Sequence, residues 1–186
     1  IIQNNTETNG QLYTAKTELE NMENIDSLVS KYNSLIYTKK HSHRLLDTYK
    51  GNFYIKGYEE NTKNIIEKLK VLTQKGIDNY ASSFNYWLNS FPHGIDCIDK
   101  KAALETMFET SQVALIYGSA GTGKSTMINH IANFFNPQNK LFLANTNPAI
   151  DNLRRKVTAA NTEFFTIAKF ILKKAVSKYD VIFIDE

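Results

Sequence analysis

Apolar positions change their spacing partway along the chain, and the change divides it in two. From about residue 18 to residue 91 they recur at three- and four-residue intervals, the period of one helix face. Met22, Ile25, Leu28, Val29, Tyr32, Leu35 and Ile36 make a first stripe, and a second helical stretch around Arg44, Leu45, Leu46 and Tyr49 runs into Gly51. Phe53 to Tyr58 reads either as a short strand or as an aromatic loop. Ile65, Ile66, Leu69 and Leu72 form another helical face, with Asn61 or Thr62 as its cap and Gly76 as its stop. Tyr80, Phe84, Trp87, Leu88 and Phe91 form a further one, closed by Pro92 and Gly94. Residues 1–11, rich in Asn, Thr and Gln, read as a frayed leader. Residues 1–94 are thus expected to be an α-helical N-terminal region.

From Ile95 onward, short continuous apolar runs alternate with helical stripes. Asp99 is placed to cap a helix carrying Ala103, Leu104, Met107 and Phe108, after which Val113 to Tyr117 reads as a strand. A helix from Lys124 buries Ile128, Ile131, Ala132 and Phe135 and stops at Asn136-Pro137; Leu141 to Ala144 is a second buried strand. Asn147, followed by Pro148, caps a helix with Ala149, Ile150, Leu153 and Val157 on its apolar face and Arg154, Arg155 and Lys156 at its C-terminal end. Glu163 to Phe165 is a short strand, and Thr166 caps a helix with Ile167, Phe170, Ile171 and Ala175 inside. The apolar run Val181 to Ile184 is the last buried strand. Such alternation predicts an α/β fold with a mainly parallel sheet over residues 95–186. A buried strand ending at Asp185-Glu186 would leave an uncovered edge, so the sequence reads as part of a longer protein with an incomplete sheet.

Composition adds limits rather than direction. The net charge of +3, from 22 basic and 19 acidic side chains, is a weak hint of a polyanionic partner, so phosphate binding must be argued locally. A single cysteine, Cys97, excludes an intramolecular disulfide, and no apolar run approaches the length of a membrane span. The expectation is a soluble, cytoplasmic protein that does not engage a membrane. Aromatic and lysine side chains between Lys39 and Tyr58 suit a stacking platform for a single strand, although such stripes more commonly form core. His41 and His43 have no cysteine or carboxylate cluster beside them, which argues against a metal site there.

The chemistry concentrates in Gly118-Ser119-Ala120-Gly121-Thr122-Gly123-Lys124-Ser125, with Thr126 next. The spacing is that of a P-loop. Its glycines let successive N–H groups turn inward on an anion, its lysine adds positive charge, and its serine hydroxyl can ligate Mg²⁺. The helix that follows aims its positive end at the same anion. Parallel strands deliver their carboxyl ends to one edge of the sheet, so Asp185 is expected beside the loop despite the distance in sequence. There it would share Mg²⁺ with Ser125, while Glu186 would orient or deprotonate the attacking water. Lys124 and Glu186 are the catalytic candidates, and Gly118 through Thr126 the nucleotide-binding ones.

Gly118–Ser125, the stretch Thr146-Asn147-Pro148-Ala149-Ile150-Asp151-Asn152-Leu153, the Thr166-Ile167 step and Asp185-Glu186 resemble motifs I, Ia, Ib and II of superfamily 1 helicases, most closely the Upf1-like branch. The resemblance covers Ile95 to Glu186 and implies the first part of a RecA-like ATPase domain, cut off after motif II. It implies ATP and Mg²⁺ as cofactors and single-stranded DNA or RNA as partner, with Thr146, Asn147 and Thr166 as contacts to the strand. Asn147 is also a good helix cap on physical grounds alone. Where family members carry an adenine-reading glutamine, the spacing here offers Lys100 or Lys101. The arginine finger and second lobe of the family lie beyond motif II, so the implied activity is a helicase or translocase ATPase that is weak in this piece alone. The alternative is a P-loop ATPase acting as a switch or scaffold, with a protein partner held by the N-terminal helices.

Overall fold

The computed structural model describes residues 1–90, 94–95, 97–173 and 178–185. Its contacts divide the chain into two compact units, Ile1–Val71 and Leu72–Glu186. The first holds α1 (Ile2–Asn9), β1 (Thr14–Ala15), α2 (Ile25–Ser34), α3 (Thr38–His41), β2 (Leu46–Tyr49), β3 (Asn52–Ile55) and nearly all of α4 (Lys56–Leu72). The strands form an antiparallel sheet in the order β1-β3-β2. Helices thus dominate this region but do not exhaust it.

Two expectations change here, each for a local reason. Residues 1–11 do not fray: α1 ends on Gly10 in the left-handed conformation, and the buried Asn5 amide donates to Thr14 Oγ1 at 3.1 Å and Glu18 Oε2 at 3.3 Å. Polar bonds do what an apolar face would otherwise do. Leu46 and Tyr49 lie on a strand rather than a helix, because Lys50 and Gly51 both take positive φ and close a two-residue hairpin. The same hairpin resolves Phe53–Ile55 as a strand, while Lys56–Tyr58 open α4, which therefore starts before the expected caps Asn61 and Thr62.

The second unit begins ahead of the expected boundary at residues 94–95. Its first helix, α5 (Tyr80–Ser90), buries Tyr80 and Phe84 against Leu104, Ile131 and Phe135 of the same unit. The Tyr80 hydroxyl donates to the Leu104 carbonyl at 2.6 Å, and burial pushes its phenol pKa up. Gly76 ends no helix; a Cβ there would overlap the Glu109 carbonyl, so it serves a close approach of two backbones. Pro92 lies outside the described residues. Next come α6 (Ile98–Thr106), α7 (Lys124–Phe134), β4 (Lys140–Ala144), α8 (Asn147–Lys156), β5 (Thr162–Thr166), α9 (Ile167–Ile171) and β6 (Val181–Ile184).

β4 lies between β5 and β6, and both pairings are parallel. In register across the three strands, Phe142 stacks on Phe164 at 4.9 Å and on Phe183 at 4.5 Å between centroids. Ile128 and Ala132 of α7, with Ile150 and Leu153 of α8, pack with this aromatic layer. Every residue of β4 is buried. The architecture is α/β with a parallel sheet, as the alternation predicts.

Four details differ from expectation. Val113–Tyr117 makes no strand pairing, and Leu115 and Tyr117 are 84% and 93% exposed, since an extended run becomes a strand only beside a partner. β6 is an edge strand with Ile182 and Ile184 exposed, not a buried one. α6 is capped by Cys97, leaving Asp99 in its first turn. α9 is five residues long, and Ala175 lies outside the described residues.

One buried cation orients α7. Lys140, the first residue of β4, is 0% exposed, and its Nζ donates to the carbonyls of Phe135 (2.8 Å), Asn136 (3.1 Å) and Gln138 (2.7 Å). Burial lowers its pKa, an effect opposed by the Asp180 carboxylate. These carbonyls belong to the end of α7 and the turn beyond it, where helix carbonyls lack intrahelical partners. The C-terminus of α7 therefore sits at the amino end of β4. Eleven residues of helix, roughly 16 Å, bring its N-terminus back to the carboxyl edge of the sheet.

Replacing Lys140 by Met should remove a donor from three carbonyls, of which Phe135 keeps the Gln138 N–H and Asn136 the Asn161 amide, and cost about 1–3 kcal/mol, read as a lower urea midpoint with unchanged slope. A second test concerns acid. Lys173 Nζ at 3.1 Å and Tyr179 OH at 3.0 Å donate to Glu163 and hold its pKa below the ordinary 4.5. Stability from this group is present above the ordinary value and lost as pH falls through the depressed one. Glu163→Gln should flatten that part of the acid-unfolding profile followed by circular dichroism.

Candidate functional site

The loop Gly118–Gly123 and the first turn of α7 form the centre of the site. Gly121 and Gly123 take φ of +81° and +86°, a region that side chains with a Cβ avoid, and Gly123 is the N-cap of α7. Thr122 Oγ1 donates to the Ser119 carbonyl at 2.9 Å, which ties the loop across itself. Lys124, the first helical residue, bends back so that its Nζ donates to the Gly118 and Ser119 carbonyls at 2.7 and 3.1 Å. Ser125 and Thr126 follow on the helix. Gly121 through Thr126, with Asn129 and Lys156, line an open cavity of about 410 Å³.

The sheet's carboxyl edge supplies the other candidates. Asp185 is half-buried one residue beyond β6, with its backbone N–H on the Leu143 carbonyl at 2.8 Å. Thr146, exposed just past β4, caps α8 by accepting from the Ala149 N–H at 3.3 Å. Asn147 is therefore the first helical residue and not the cap; its side chain is exposed. Thr166 does for α9 what Thr146 does for α8, accepting from the Lys169 N–H at 3.3 Å, and it is largely buried. Thr166 also pairs in register with Ala144, so the two capped turns leave neighbouring strands at one level. Glu186 lies outside the described residues.

The residues present fit a nucleotide with a divalent ion. Open N–H groups at the start of an eleven-residue helix, a lysine amine at the loop and an anion-sized cavity are the donor set a phosphate chain needs. Among the described residues no group of three or more His, Cys, Asp or Glu side chains converges. A divalent ion here would rest on the Ser125 hydroxyl, the Asp185 carboxylate and the phosphates, which is how Mg²⁺ is usually held.

Three further residues reach the loop or its cavity, and of these Lys156 and Asn129 are not among the candidates the sequence offers. Lys156, taken only as a cation favoured by the helix dipole, lines the cavity. Asn129 lines it too and accepts from the Thr158 N–H at 2.9 Å, joining α7 to the turn after α8. Lys100 Nζ stands 3.0 Å from where a Cβ at Gly123 would be. Lys156 and Asn129 have no spacing signal, since each arrives from a different helix, whereas Lys100 is one of the two lysines that spacing puts where a glutamine is expected.

Residues 99–186 match a family model described as an AAA domain, a P-loop nucleotide-hydrolase family found in helicase-like proteins of superfamily 1. Searches among curated proteins and solved structures found no match. No helix among the described residues is long and apolar enough to cross a membrane.

Gly121→Ala and Gly123→Ala separate two roles of the loop glycines. Both force a Cβ into left-handed backbone at about 1–2 kcal/mol, but only residue 123 also meets Lys100. Urea midpoints should fall alike in both variants, while MgATP affinity, measured by calorimetry, should fall further in Gly123→Ala.

Proposed function

We propose that this chain carries the ATP-binding part of a superfamily 1 helicase or translocase, in which ATP hydrolysis drives movement on single-stranded DNA or RNA. The observation that supports this most is the shared carboxyl edge. α7, β6 and β4 bring the phosphate loop, Asp185 and the Thr146-capped start of α8 to the same side of one sheet. A strand phosphate at the Thr146–Asn147 turn would meet the one open N–H of α8, that of Asn147, since Pro148 has none and Ala149 is held by Thr146, and a nucleotide phosphate would lie against the open first turn of α7. A shift of either helix with ligand would be felt at the other through the core they share.

Within the site, Lys124 would leave the Gly118 and Ser119 carbonyls for the β and γ phosphates. Ser125 and Asp185 would hold Mg²⁺, which spreads the charge of the transferring phosphoryl group. Glu186 would accept a proton from, or orient, the attacking water. Thr146 and Asn147 would grip the strand backbone, with Thr166 supporting the adjacent turn.

The test is steady-state ATP hydrolysis by the full-length protein with and without single-stranded DNA and RNA. Stimulation by one polymer is expected, and Glu186→Gln should lower turnover by about 10²- to 10⁴-fold while nucleotide binding survives. Hydrolysis indifferent to both polymers would sink the motor and favour a switch with a protein partner.

A further inference from the structure

The phosphate loop meets more positive charge than its own lysine brings. Lys100 is the third residue of α6, is half-buried, and reaches the loop with its amine. Its Nζ and Cε lie 3.0 and 3.8 Å from the position a Cβ of residue 123 would take. The amine thus occupies the space that a glycine leaves open at the N-cap of α7. Its neighbour Lys101 faces Glu105 at 3.9 Å, whereas Lys100 has no hydrogen bond or ion pair with the described residues.

That placement is electrostatically unfavourable without a ligand. The N-terminus of α7 is the positive pole of an eleven-residue helix, and Lys124 is the residue after Gly123. Lys156 brings another cation to the cavity, and none of the residues lining it is acidic. Lys100 meets the loop at Gly123, which lines the cavity, without lining it itself, and cations set around one loop repel at a cost that an anion of two or more charges offsets. We propose that Lys100 is a second cationic ligand for the phosphate chain of the bound nucleotide, acting from outside the loop beside Lys124. This rests on the nucleotide-binding reading above. Its consequence is a selectivity weighted toward phosphate charge and away from the base, because the side chain that reaches the loop from α6 is a point charge rather than an amide able to read a base edge.

The test is calorimetric titration of the 186-residue chain with MgATP, MgGTP and magnesium tripolyphosphate, using Lys100→Gln, Lys100→Arg and Lys124→Ala. Lys100→Gln should weaken all three ligands alike, by about tenfold, the usual loss for one charge-assisted hydrogen bond. Lys100→Arg should restore most of that affinity. A loss confined to ATP would overturn the proposal in favour of base reading, and unchanged binding in Lys100→Gln would overturn it in favour of mere packing. If Lys124→Ala abolishes binding while Lys100→Gln leaves it intact, Lys100 alone is misassigned. If the wild-type chain binds none of the three, the nucleotide reading itself fails and takes this one with it.

Discussion

The ammonium of Lys140 ties the end of α7 to the start of β4, and the direction of the phosphate loop follows from that tie. Helices end with unpaired carbonyls, and here three carbonyls at the end of α7 and just beyond it converge on one buried donor. With its C-terminus held at the amino end of the sheet, α7 has no choice but to present its N-terminus at the carboxyl end. A lysine with its charge wholly out of water is costly, and the three acceptors are what make it tolerable. Asp180, whose carboxylate also accepts from the Asn139 N–H at 3.0 Å, adds a favourable field from the turn before β6.

Electrostatics then concentrates at one edge. Two helices, α7 and α8, open there, α7 with an uncapped first turn and α8 with Pro148 and a capped Ala149, and α9 adds a short third turn capped like α8. The caps differ in a way that matters for ligands. Thr146 and Thr166 satisfy an N–H of their helices with their own side chains, whereas Gly123 offers none and leaves the first turn of α7 wholly open. The loop is thus the least satisfied of the three turns in hydrogen-bond terms, and it is also where the lysines gather.

The sheet itself is organised by stacking more than by a broad aliphatic face. Phe142 is sandwiched between Phe164 and Phe183, and the register of both strand pairs is consistent with that one layer. β6, though apolar at every position, keeps only alternate side chains in the core, and Ile182 and Ile184 remain 56% and 70% exposed. Phe183 explains why the strand docks at all. The first unit shows the contrary economy: α1, poor in apolar residues, is fastened by the Asn5 amide to Thr14 and Glu18.

The residues of the phosphate loop, and the alternation that predicts an α/β fold, were legible in the chain alone, because glycine placement and apolar period depend on local backbone geometry. The helix that carries the loop, starting at Lys124, was legible for the same reason. Tertiary structure decided what depends on partners. It began α6 and α8 on caps two residues and one residue ahead of those expected, turned Leu46–Tyr49 into a strand, and left Val113–Tyr117 without one, since pairing needs a neighbour that no local pattern announces. By sequence Lys156 is a helix-end cation and Lys100 one of two lysines at the place of a glutamine; α6 carries Lys100 to the loop and α8 carries Lys156 to the cavity. A period records which face of an element is buried; only packing decides which charges from different elements come to share one anion.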